Sequence, residues 1–135
     1  MSRLAQFGLL GAISGGVILF LGLFPSAIDA DNTPGIGLIQ IVTMQVGLLL
    51  LVIGAYVVVY ALVHRGRPRT LMRDIAVRLG MTGLVFSAAA MMADLMGFGS
   101  HVRGDGPFFG WLQAAGMLVG FVISAIGVFL YGAAR

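Results

Sequence analysis

The sequence predicts an all-α membrane protein: four transmembrane helices arranged as two tandem-duplicated hairpins in a compact bundle. Three observations point there. First, 59% of the 135 residues are apolar and only 10% are charged, where a soluble domain carries about 25% charged residues. Second, the apolar residues fall into four long runs, Leu4–Phe24, Gly35–Val63, Leu79–Phe98 and Phe108–Ala134. Third, the arginines gather at one end of those runs. The mean hydropathy of +1.04 argues against disorder. The 21 glycines follow no collagen period.

Each run is long enough to cross a ~30 Å hydrocarbon core at about 1.5 Å per residue. Barrel strands are excluded, because they are about 10 residues long and alternate. The expected spans cover about 4–24, 35–63, 76–98 and 108–132, in a single transmembrane domain. The first run is 21 residues long, too long for the core of a signal peptide, so it reads as a plain first span. The second carries no charge. The third contains one, Asp94. Trp111 and Tyr131 lie near opposite ends of the fourth and read as interface anchors.

The connections between spans are Pro25–Pro34, His64–Asp74 and Gly99–Pro107. Arg3, Arg65, Arg67, Arg69, Arg73, Arg78 and Arg135 fall on one side of a four-span chain, and Arg103 falls on the other with Asp29, Asp31 and Asp105. The positive-inside rule then places both termini in the cytoplasm of a bacterial inner membrane. The same arginines, from Arg65 to Arg78, suit anionic lipid headgroups. Arg65-Gly66-Arg67-Pro68 is similar to the core of the AT-hook, a minor-groove DNA-binding element. Between two spans, clustered arginine is what topology itself demands, so nucleic acid is not an expected partner.

A shift of 73 residues carries Pro34, Gly37, Gln40, Met44, Val46, Gly47, Ile53 and Gly54 onto identical residues from Pro107 to Gly127. A shift of 75 carries Arg3-Leu4 and Gly8-Leu9 onto Arg78-Leu79 and Gly83-Leu84. The expected repeats are 1–66 and 67–135, in the same orientation, related by an axis along the membrane normal. Small residues recur at a 4-3 spacing in all four spans, as in Gly8, Ala12, Gly15 or Gly80, Gly83, Ser87. Such stripes let membrane helices approach closely. The eight methionines read as core filling.

Asp94 lies on the small-residue stripe of the third span and should face protein. Gln113 and Gln40 enter from the same outer side at similar depth. With His101 or Arg103 they form the expected polar cluster, read first as an interhelical fastener and second as a ligand site. There are no cysteines, which removes thiolate chemistry. His64 and His101 lie on opposite sides of the membrane, so no metal or haem site is expected. No serine or threonine has a partner base, so no catalytic residue is expected. No cofactor is expected either.

The expected function is a non-catalytic accessory subunit of a larger bacterial inner-membrane complex, such as a respiratory or photosynthetic electron-transfer assembly. Its partners are lipids and other integral membrane subunits. The alternative is a small-molecule binder, for a quinone, carotenoid or lipid, near Asp94 and Gln113. A small transporter or channel comes third, because one buried charge gives little room for a pathway.

Overall fold

The computed structural model describes residues 2–24, 38–93 and 111–134. Four helices account for nearly all of them: α1, Arg3–Leu23; α2, Leu38–Val59; α3, Leu71–Met92; and α4, Trp111–Ala133. A π-helical turn, Tyr60–His64, prolongs α2. Each helix is long and apolar enough to cross a membrane. Ser2 starts α1 by accepting the Ala5 amide, the usual satisfaction of an orphan N–H.

One boundary differs from the hydropathy expectation. The third helix starts at Leu71, several residues ahead of the expected span, so the basic connection shrinks to Arg65–Thr70. Hydropathy marks where the chain enters lipid, whereas a helix continues for as long as its backbone bonds are made. Leu71, Met72 and Arg73 are good helix formers. Asp74 sits in the first turn, where the helix dipole favours an anion. Gly66 turns the chain at φ +80°, a conformation most residues avoid.

The helices pair as α1 with α2 and α3 with α4, and in each pair the backbones nearly touch. A Cβ at Gly47 would meet the Leu19 backbone and lie 2.9 Å from the Gly15 carbonyl oxygen; one at Gly54 would meet Ala12 and lie 2.7 Å from the Gly8 oxygen. In the second pair, a Cβ at Gly120 would lie 2.7 Å from the Gly83 oxygen, and one at Gly127 would lie 2.8 Å from the Ala76 oxygen. The two hairpins therefore use the same contact pattern. A shift of 73 carries Gly47 and Gly54 onto Gly120 and Gly127, as the sequence reading has it. The shift that carries Gly8 and Gly15 onto Ala76 and Gly83 is 68, not 75. The difference is one seven-residue period. A stripe of small residues spaced 4-3 looks the same after such a slide, so residue identity alone does not fix its register.

The small-residue stripes face inward within each hairpin and do not converge on one common axis. α2 joins the hairpins, because it has two working faces. Met44, Gly47 and Gly54 face α1. Ile41, Leu48, Val52 and Tyr56 are buried against the other hairpin. The join has two clusters. One holds Ile41, Met44, Met91 and Met117; the other holds Leu48, Val52, Tyr56 and Leu84. Leu19 and Phe121 pack against both. Flexible thioethers suit the uneven gap between two rigid pairs. The outward faces carry large exposed side chains such as Phe7, Leu10, Val85 and Phe129. In lipid these lose nothing by their exposure, since acyl chains are as apolar as they are.

Candidate functional site

The polar side chains inside the spans bond mainly to backbone carbonyls of neighbouring helices. Gln40 Nε2 donates to the Gly22 carbonyl at 2.7 Å, tying α2 to α1. Gln45 Nε2 donates to the Leu84 carbonyl at 3.2 Å and accepts from the Ser87 hydroxyl at 3.3 Å. Tyr56 donates to the Ala76 carbonyl at 2.8 Å. Ser124 donates to the Gly80 carbonyl at 3.2 Å. Four of these five bonds cross between sequence-distant helices onto backbone oxygens. Each is worth about 0.6 kcal/mol in a membrane, so together they act as fasteners.

Of the expected outer cluster, Asp94, His101 and Arg103 lie outside the described residues. Gln40 is there, committed to Gly22. Gln113 is buried on α4. It lines a shallow apolar cavity of about 290 Å³ with Phe86, Ala90, Leu112 and Val119.

The arginine-rich end holds a more elaborate arrangement. The π-turn adds a residue to the helical path and carries His64 inward, where it is fully buried. Its Nε2–H donates to the Tyr131 carbonyl at 2.6 Å. Its ring stands edge-on to the Tyr131 ring at 4.8 Å, and Tyr131 stands edge-on to Tyr56 at 5.1 Å. Edge-to-face contact is the favoured geometry for such rings. This stack of three rings joins the end of α2 to the end of α4.

Above the stack lies a cleft of about 530 Å³, lined by Tyr60, Arg67, Arg69, Arg73, Asp74, Val77, Arg78 and Tyr131. Four guanidinium groups thus face one carboxylate. Arg73 is the unusual member, only 5% exposed. Its Nη1 donates to the Pro68 carbonyl at 2.9 Å, and its Nε has no hydrogen-bond partner. Arg67, Arg69 and Arg78 are exposed. Arg65 is exposed as well and is not part of the lining. The arginines expected to serve headgroups and topology therefore divide into four that share a cleft and one that does not.

Sequence reasoning missed the burial of Arg73 and the ring stack. The signal for Arg73 was present. The buried positions Arg73, Ala76, Gly80, Gly83, Ser87 continue one 3-4-3-4 stripe, and the stripe begins one turn before the apolar run. The ring stack left no such signal, because it depends on the π-turn. Among the described residues, no group of three His, Cys, Asp or Glu could hold a metal. Comparison with protein-family models, curated proteins and solved structures finds no match.

Proposed function

We propose that this chain is a non-catalytic accessory subunit of a larger bacterial inner-membrane complex, with both termini in the cytoplasm and two duplicated hairpins as its body. The observation that carries the reading is the use of the polar side chains within the spans. Gln40, Gln45, Tyr56, Ser87 and Ser124 are engaged in holding helix to helix. A transport pathway or a reaction centre needs such groups turned toward a substrate. Here they make a rigid body with apolar outer faces, suited to lie against other integral subunits. An electron-transfer assembly is the host class we favour.

Removing the chain from its own cell tests this. A subunit that stabilises an assembly should take partners down with it, since a small loss of stability changes abundance several-fold in cells. Quantitative comparison of membranes with and without the chain should show a defined set of integral proteins falling together. Unchanged levels of every other membrane protein would count against the proposal.

One observation favours a second reading, a holder of a small apolar molecule such as a quinone, carotenoid or lipid. The cavity between α3 and α4 is lined almost wholly by apolar side chains, with Gln113 as the polar member of its wall, the usual make-up of a ligand site.

A further inference from the structure

We infer that the cleft at the arginine-rich end is a binding site for a phosphate ester. It goes beyond the accessory-subunit reading and does not depend on it. The lining carries four guanidinium groups and the single carboxylate of Asp74, so its field attracts anions. Surface arginines alone would say no more than that. Arg73 says more, because it lines the cleft while almost wholly buried, and its Nε makes no hydrogen bond. A buried charge without a counter-charge is costly. Asp74 lines the same cleft, yet among the described residues no carboxylate is ion-paired with Arg73. The Pro68 carbonyl holds one arm of the guanidinium in place, which leaves a fixed planar donor. That geometry matches the oxygens of a phosphate.

Two further features narrow the class. The cleft opens at the start of α3, where the helix dipole favours an anion. Its volume of about 530 Å³ exceeds what one inorganic ion needs and falls within the range of organic ligand sites. Tyr60, Val77 and Tyr131 give the rest of the wall an apolar character. A phosphate carrying an organic group fits this combination, whether it belongs to a phospholipid headgroup or to a soluble phosphomonoester.

The test uses the full chain in nanodiscs. In phosphatidylcholine discs, graded phosphatidylglycerol, inorganic phosphate and glycerol 3-phosphate are added separately. Retained lipid is counted by native mass spectrometry, and thermal unfolding is followed in parallel. Retention of phosphatidylglycerol over phosphatidylcholine by about fivefold or more, the weight of one arginine at an anionic surface, identifies a headgroup site. A rise in unfolding midpoint with glycerol 3-phosphate or phosphate identifies a soluble ester or ion. Either effect should disappear in Arg73→Gln. Because a buried position could compromise folding, the double variant Arg69→Gln/Arg78→Gln, at two exposed positions, is the second arm and should weaken the effect several-fold with helicity unchanged. No response to any probe overturns the inference. So does a response that survives in both variants.

Discussion

Replacing Gly47 and Gly54 together by alanine should take the first hairpin apart. At each site the added Cβ would meet the backbone of α1, at Leu19 and Gly15 for one and at Ala12 and Gly8 for the other. Backbone cannot move aside as a side-chain tip can, so the helices must separate and lose contact along the whole stripe. Overpacking a tight interface costs about 1–3 kcal/mol, and contacts with backbone belong at the upper end. The double variant should therefore lose about 6 kcal/mol, a large part of the ~5–15 kcal/mol that holds an ordinary domain. Gly16 is the control. A Cβ there would lie 3.9 Å from the Leu51 Cδ1 atom, an ordinary contact. Gly16→Ala should be neutral or stabilise by up to about 1 kcal/mol, through the unfolded chain. Reversible unfolding in mild detergent, followed by circular dichroism, measures both variants. Equal effects in the two would mean that the stripe does not pack as described.

The second large effect is expected at Tyr56, where the hairpins meet. Its ring covers Gly80, its hydroxyl reaches the Ala76 carbonyl, and its edge meets Tyr131. Tyr56→Ala empties that volume and should cost about 3–5 kcal/mol, the range for removing a buried aromatic ring. Tyr56→Phe removes the hydroxyl alone and should cost about 1 kcal/mol. The loss in Tyr56→Ala should fall on the association of the hairpins, leaving each glycine-packed pair helical. Protease or labelling access at the α2–α3 contact reads this directly, as greater exposure in Tyr56→Ala than in Tyr56→Phe. Equal access in the two variants would mean that the ring does not hold the hairpins together.

Much of this architecture was legible in the chain, for a plain reason. Lipid demands about twenty apolar residues per span, and nothing else in a short sequence imitates that. Close approach was legible too, because glycine and alanine at 4-3 spacing have few other uses in a membrane. Register was harder. That Gly8 and Gly15 correspond to Ala76 and Gly83 emerges only once both partners of each contact are known. The double role of α2 was hidden, because in a helix this apolar every face looks suitable for burial. Gln40 was legible as a polar contact, but its partner is a carbonyl, and carbonyls leave no mark in a sequence. Arg73 was hidden by the habit of reading a charge near a span end as solvated. Its long stem lets the residue lie buried along the helix start while its head reaches the cleft.

As an accessory subunit, this body would lie against other integral subunits. The most direct measurement is the size and composition of the particle that carries the chain out of native membranes in a mild detergent. That particle should lie well above the 14.1 kDa of one chain and contain at least one other integral membrane protein in fixed ratio. A particle made of this chain alone, as one copy or a whole-number multiple, would contradict it.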